Sequence, residues 1–112
     1  MHELSLCEAI LRSTSKHADG RRVTKITVRI GHLRQVVPES LLFSWEVLTD
    51  STDMKGCELL IEQVPAVIEC EDCGAHTTLD MPILSCGWCA GFKVRLLSGE
   101  EMLIVSIDLV EV

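Results

Sequence analysis

The sequence predicts an α+β fold in which two helices cover a three-stranded sheet that carries an inserted, cysteine-containing subdomain. Two segments have apolar residues at helical spacing, two have alternating apolar residues and a third is β-rich and apolar, and two Cys-x-x-C pairs separate the second strand from the third. A chain of 112 residues is long enough for one hydrophobic core and one small subdomain held together by a metal ion. We therefore expect residues 1–65 plus 98–112 to form the α+β domain and residues 66–97 the subdomain.

Both predicted helices are amphipathic. The first begins almost at residue 1 and is stopped by Asp19-Gly20. The second begins at Pro38, since proline is favoured in the first turn of a helix, and ends between Thr49 and Asp53. Their apolar positions are Leu4, Cys7, Ile10, Leu11 and Ala18 in the first helix, and Leu41, Leu42, Trp45 and Leu48 in the second.

The predicted strands cover residues 23–30, 57–64 and 102–112. The last strand is expected to return and pair with an earlier one. Its alternation puts one set of residues on one face and a second set on the other: Leu103, Val105, Ile107 and Leu109 against Ile104, Ser106 and Asp108. Residues 66–97 lack this periodicity, so we expect a metal knuckle there in place of regular elements.

Composition limits the classes of partner. Ten basic and seventeen acidic residues give a net charge of −7, which disfavours nucleic acid and anionic membrane surfaces. The one dense basic cluster, Arg21, Arg22 and Lys25, is better interpreted as a solvated strand entrance. The N-terminus resembles no secretory signal, and no window is apolar enough to span a bilayer. We expect a cytoplasmic protein with reduced thiols.

Four of the six cysteines have the spacing of a metal site. Cys70 and Cys73 form one Cys-x-x-C pair, and Cys86 and Cys89 form another after twelve intervening residues. Four thiolates suit tetrahedral zinc in a closed, structural site, which predicts a zinc-ribbon-like subdomain. Iron in a similar sulfur site stays open as an alternative, and a redox pair is disfavoured because neither pair opens a helix after a strand.

The remaining candidate groups have simpler interpretations. His76 could replace a cysteine ligand, but we interpret it as a surface histidine of the loop. Cys7 and Cys57 lie on apolar faces and are expected to be buried thiols. No nucleophile, base and orienting group occur together, and the closed metal site has no position for substrate, so we expect no enzymatic activity.

The N-terminal residues Met1-His2-Glu3 could chelate a second metal ion. The α-amine, the intervening amide nitrogens and the His2 imidazole can form small chelate rings, an all-nitrogen planar arrangement that suits Ni(II) or Cu(II). The first amides of a helix have no intrahelical acceptor, so their use as ligands would leave the helix intact.

These motifs together resemble the HypA/HybF family of hydrogenase maturation nickel chaperones, over essentially the whole chain. The resemblance rests on the first seven residues, the two Cys-x-x-C pairs and several shorter motifs: Arg22-Val23-Thr24, Ile30-Gly31, Pro38-Glu39-Ser40, Gly56-Cys57-Glu58-Leu59 and Ser98-Gly99-Glu100-Glu101.

The resemblance implies Ni(II) as transient cargo at His2, with Met1 and Glu3 as terminal or backbone nitrogen donors. It implies structural Zn(II) at Cys70, Cys73, Cys86 and Cys89. The implied partners are a HypB-type GTPase and the large subunit of a [NiFe]-hydrogenase, to which nickel is delivered; a homodimer stays open. A rival hypothesis is a zinc ribbon that docks on nucleic acid or on a protein complex, with residue 2 irrelevant.

The second knuckle departs from the family pattern. It reads Cys86-Gly87-Trp88-Cys89-Ala90, where many relatives have proline after the first cysteine and glycine after the second. The ligands are intact. Trp88 is either a packing residue that covers the knuckle or an exposed contact for a partner, and we expect packing.

Overall fold

The computed structural model describes residues 3–110, which form two helices, a short 3-10 helix and six strands. The N-terminal half contains α1 (Glu3–Ala18), β1 (Val23–Gly31), the 3-10 helix (His32–Arg34) and α2 (Pro38–Thr49). The remaining five strands follow α2 along the chain: β2 (Glu58–Val64), β3 (Val67–Cys70), β4 (His76–Thr78), β5 (Val94–Ser98) and β6 (Met102–Leu109). Within residues 3–110, neither helix has the length and apolar character needed to cross a membrane.

The first sheet has the strand order β2-β1-β6. Strands β1 and β2 are parallel and are connected through α2, whereas β6 returns antiparallel on the other side of β1. Parallel neighbours require a crossover connection, and α2 supplies it. The predicted α+β fold, with two helices and a three-stranded sheet, is confirmed.

The core of this unit lies between the two helices and the sheet. Buried side chains from α1, α2 and β1 form one cluster, in which Cys7, Ile26 and Leu41 have no exposed surface. Trp45 of α2 is also buried, and its indole Nε1–H donates a hydrogen bond of 3.0 Å to the Cys57 carbonyl oxygen. This bond ties α2 to the segment that leads into β2.

Strand β6 does not keep the uninterrupted alternation that the sequence predicted. The register of β1 and β6 shifts between the Thr27–Ser106 and Val28–Ile104 pairs, so Val105 is an extra, bulged residue. The bulge reverses the alternation, and the residues that pack on the core are Met102, Ile104, Ile107 and Leu109. The predicted alternation is therefore broken: Ile107 and Leu109 pack on the core, whereas Leu103 and Val105 of the same predicted set are exposed, and Ile104 of the other set packs on the core.

The segment predicted to lack regular elements contains most of a second sheet, with the antiparallel order β4-β3-β5. Its strands are three to five residues long. Such short strands give little periodic signal, because their side chains alternate over only one or two repeats. Cross-strand pairing therefore defines this sheet more than local sequence does.

Several elements meet at one end of the first sheet. The Cys7 Sγ–H of α1 donates to the Leu41 carbonyl oxygen in the first turn of α2, at 3.4 Å, so both helices begin close together. The chain leaves for the second sheet after Val64, which pairs with Gly31, and returns at Met102, which pairs with Ile30. The part of the chain between these two points that spans residues 66–97 is called the cysteine-rich lobe, or second lobe. It is thus attached at the end where β1 and β2 finish and both helices start.

Candidate metal centre

The fold brings the four predicted cysteine ligands together. Cys70 ends β3, Cys73 follows in the next turn, and Cys86 and Cys89 lie in the loop between β4 and β5. All four sulfur atoms lie within 4.8 Å of one another, and the Cys70–Cys89 and Cys73–Cys86 Sγ pairs are each 3.6 Å apart. Tetrahedral zinc with Zn–S bonds of about 2.3 Å requires sulfur separations of about 3.8 Å. The four sulfurs fit such an ion.

Both knuckles have the same backbone construction. The amide that follows the second cysteine donates to the carbonyl oxygen of the first, at 2.9 Å from Gly74 to Cys70 and 3.0 Å from Ala90 to Cys86. In each pair the second cysteine's own N–H lies 3.5 Å from the first cysteine's sulfur. The residue after each pair has a left-handed backbone, with φ of 76° at Gly74 and 62° at Ala90.

Hydrogen bonds from backbone amides and between the thiols shift the pKa values of individual sulfurs in different directions. The N–H groups of Cys89 and Trp88 lower the pKa of the Cys86 thiol to about 6. The Gly91 amide also lowers the pKa of Cys89, but the hydrogen bonds with the Cys70 and Cys86 sulfurs outweigh it and raise that pKa to about 12. Four thiolates this close repel one another, so a cation is needed to ionise the whole set.

The cluster lies between a buried side and an open side. Cys70 and Cys86 are buried, whereas Cys73 and Cys89 are exposed. Gly91 passes close to the open side, where an added Cβ would lie 3.3 Å from the Cys89 sulfur. Gly87 packs on Thr77, whose Oγ1 accepts its N–H at 3.0 Å.

His76 is an exposed residue of β4 and not part of the sulfur cluster. Its ring Nε2 lies 3.0 Å from Oε2 of Glu69, and Arg95 pairs with the other carboxylate oxygen. These contacts lower the pKa of Glu69, the His76 bond being the largest contribution. The interpretation of His76 as a surface residue is confirmed, although it lies on a strand.

Trp88 does not pack on the knuckle, contrary to expectation. Its side chain is 79% exposed. The Trp88 backbone N–H points to the Cys86 sulfur at 3.4 Å, so the position serves the knuckle through its main chain. Phe92, three residues after Cys89, is similarly exposed.

Cys7 and Cys57 are buried thiols, as predicted. Burial, followed by the nearby Glu3 charge, raises the pKa of Cys7 to about 11. Burial and the Glu58 charge also raise the pKa of Cys57. Both thiols therefore stay protonated and act as small apolar groups.

Of the predicted nickel residues, only Glu3 lies within the described part of the chain. It is the first residue of α1 and is half-buried. Met1 and His2 lie outside the described residues. Glu3, as the start of α1, lies at the end of the first sheet where the second sheet is attached.

Comparison with known proteins identifies the family. The family model for "Hydrogenase/urease nickel incorporation, metallochaperone, hypA" matches residues 1–109. The chain belongs to the HypA family. It is 39% identical to the hydrogenase maturation factor HypA of Geotalea uraniireducens, over 96% of this chain and 98% of that protein. The corresponding factor of Desulfosudis oleivorans is 37% identical, over 99% and 100% of the two chains.

Solved HypA structures have the same fold. The solution structure of the nickel metallochaperone HypA from Helicobacter pylori matches with a TM-score of 0.66 and 20% identity, and 97% of each chain is covered. The HypA family is one of metallochaperones and not of enzymes, which agrees with the expectation from the sequence.

Proposed function

We propose that this chain binds Ni(II) through Met1, His2 and Glu3 and delivers it to the large subunit of a [NiFe]-hydrogenase. The observation that carries the proposal is the family match, which begins at residue 1 and so includes the N-terminal motif. The nickel is cargo, held by coordination alone and passed on by ligand exchange.

The start of α1 supports the choice of donors. Because Glu3 is the first residue of the helix, its amide lies among those that have no intrahelical acceptor. The α-amine of Met1, the amides of His2 and Glu3, and the His2 imidazole together supply the nitrogen ligands that Ni(II) favours. The Glu3 carboxylate is a weaker candidate.

The four cysteines hold a structural zinc ion in this proposal. Their separations fit a closed tetrahedral site, which leaves no position for a catalytic water or a substrate. We assign the metal-stapled domain to residues 66–97 and the nickel-binding domain to residues 1–65 plus 98–112. Zinc would supply the cation that lets all four thiols ionise.

A HypB-type GTPase and the hydrogenase large subunit are the proposed partners, and the cytoplasm is the proposed location. Membership in a hydrogenase maturation family supports a role beside the other maturation proteins. The net charge of −7 argues against nucleic acid as a partner.

The nickel site is tested by His2→Ala in untagged, zinc-loaded protein. We expect loss of the tight nickel-binding event in calorimetric titration, with one zinc per chain retained by elemental analysis. Acidification should release nickel from the unaltered protein, because protons compete for the amine, imidazole and amide nitrogens.

The matched control is His17→Ala. His17 is exposed near the other end of α1, about 20 Å along the helix from Glu3, and its ring bonds the Ser13 carbonyl oxygen. This variant should bind nickel normally. Unchanged tight binding in His2→Ala would contradict the proposal, as would equal loss in both variants.

A further inference from the structure

A cleft of about 290 Å³ lies where the two lobes of the chain meet. One wall comes from the ends of β1 and β2 and the start of α2, and the other from the loop that follows β4. The residues that line it include His32, Gln35, Gln63 and Asp80. The cleft therefore joins the first sheet to the loop that carries the second knuckle.

Its position in the topology is one where α/β proteins bind ligands. The strands β1 and β2 are parallel and end together at Gly31 and Val64, and α2 crosses over between them. Crevices outside the carboxyl ends of parallel strands are common ligand sites in α/β sheets. His32 follows β1 directly, and Gln63 is the penultimate residue of β2.

The polar side chains of the cleft are metal donors of mixed type. His32 supplies an imidazole nitrogen, Asp80 a carboxylate, and Gln35 and Gln63 supply amide oxygens. Within residues 3–110, neither the His32 ring nor the Asp80 carboxylate has a hydrogen-bond or ion-pair partner. Both side chains are exposed and line one cavity without bonding each other, so their lone pairs are open to a ligand.

Charge favours a cation over an anion in this cleft. Asp80 is its acidic residue, and the lining residues that the structure describes include no Lys or Arg. The helix that starts at the cleft begins with Pro38, which has no amide N–H to offer an anion, and Glu39 in its first turn offsets the positive end of the helix dipole. A histidine nitrogen beside a carboxylate suits a divalent transition metal, and imidazole is a common ligand of nickel.

We propose that His32 and Asp80 form a second, weaker site for a divalent metal ion, and that this cleft receives Ni(II). The inference rests on the proposed function for the identity of the ion, since nickel is the family's cargo. The site lies at the end of the fold where α1 begins, beside the loop that carries the second knuckle.

The test is nickel titration of zinc-loaded, full-length protein by calorimetry, with His32→Ala, Asp80→Asn and the control His17→Ala. The unaltered protein should bind two nickel ions with different affinities. His32→Ala and Asp80→Asn should each weaken the second event by at least about tenfold and leave the tight event unchanged. His17→Ala should retain both events.

His2→Ala separates this proposal from the proposed function. In that variant the tight event should disappear while the weaker one remains and is still sensitive to His32→Ala. A single nickel event that depends on His2 and ignores His32 would overturn the cleft site alone. A single event weakened by both His2→Ala and His32→Ala would also overturn it, because one shared ion would then explain both residues.

Discussion

At the scale of single residues, the second knuckle shows how one side chain can strain an otherwise intact metal site. Ala90 occupies the position that Gly74 holds in the first knuckle, and both have left-handed backbones. Glycine adopts this conformation freely, whereas for an L-residue with a Cβ atom it costs about 1 kcal/mol or more of conformational free energy. The departure from the family pattern noted in the sequence therefore falls at a conformationally demanding position.

We predict that Ala90→Gly tightens zinc binding by about fivefold, equivalent to about 1 kcal/mol, because it removes this strain from the closed knuckle. The matched change Gly74→Ala should weaken zinc binding by a similar factor. Competition with a chromogenic chelator measures both. Weaker zinc binding in Ala90→Gly would show that the backbone strain at this position does not limit the site.

At the scale of elements, the joint between the two sheets depends on a close backbone approach. Gly99 lies between β5 and β6 with φ of 116°, and an added Cβ would lie 2.6 Å from the Cα of buried Ala66. The Gly99 carbonyl oxygen accepts a hydrogen bond from the Leu33 N–H at 2.9 Å. The Gly31 N–H donates to the Glu101 carbonyl oxygen at 2.8 Å. The segment that returns from the second sheet is thus pinned to the end of β1.

We predict that Gly99→Ala lowers the free energy of unfolding by at least about 2 kcal/mol, since it adds a steric clash to an unfavourable φ. Gly20→Ala is the control, because Gly20 also has a positive φ of 84° but has no atom within 4 Å of an added Cβ. That variant should lose only about 1 kcal/mol. Urea denaturation of the zinc-loaded proteins compares them, and equal losses would exclude a specific role for the Ala66 contact.

At the scale of the whole molecule, the two lobes have different sources of stability. The first sheet and its helices share a continuous apolar core. The buried residues of the second lobe are few, namely Ala66, Ile68, Cys70 and Cys86, and they lie outside that core. Because so few apolar groups are buried there, we expect a metal ion at the four cysteines to hold the strands of this lobe in place.

We predict that removal of zinc with a chelator unfolds the second sheet and leaves the first sheet folded. Amide hydrogen exchange should accelerate by at least about a hundredfold in residues 67–70 and 94–98, whereas residues 23–31 keep their protection. Readdition of one equivalent of zinc should restore the slow exchange. Slow exchange in β3 after complete metal removal would show that the lobe is stable through its packing alone.

The sequence by itself determined the α+β class, the grouping of the four cysteines and the two helices, because these depend on local spacing and short motifs. It also indicated the family through residues scattered along the whole chain, and the family match confirmed that resemblance. The nickel assignment to His2 stays a prediction, since Met1 and His2 lie outside the described residues.

Only the tertiary structure decided the features that depend on contacts between distant segments. The bulge at Val105 reversed the inward face of β6, and pairing of short segments made a second sheet where periodicity was absent. Trp88 is exposed because the knuckle uses its backbone N–H and leaves its ring in solvent. His32 and Asp80 meet at one cleft although 48 positions separate them in the sequence, since the chain enters and leaves the second lobe beside the end of β1.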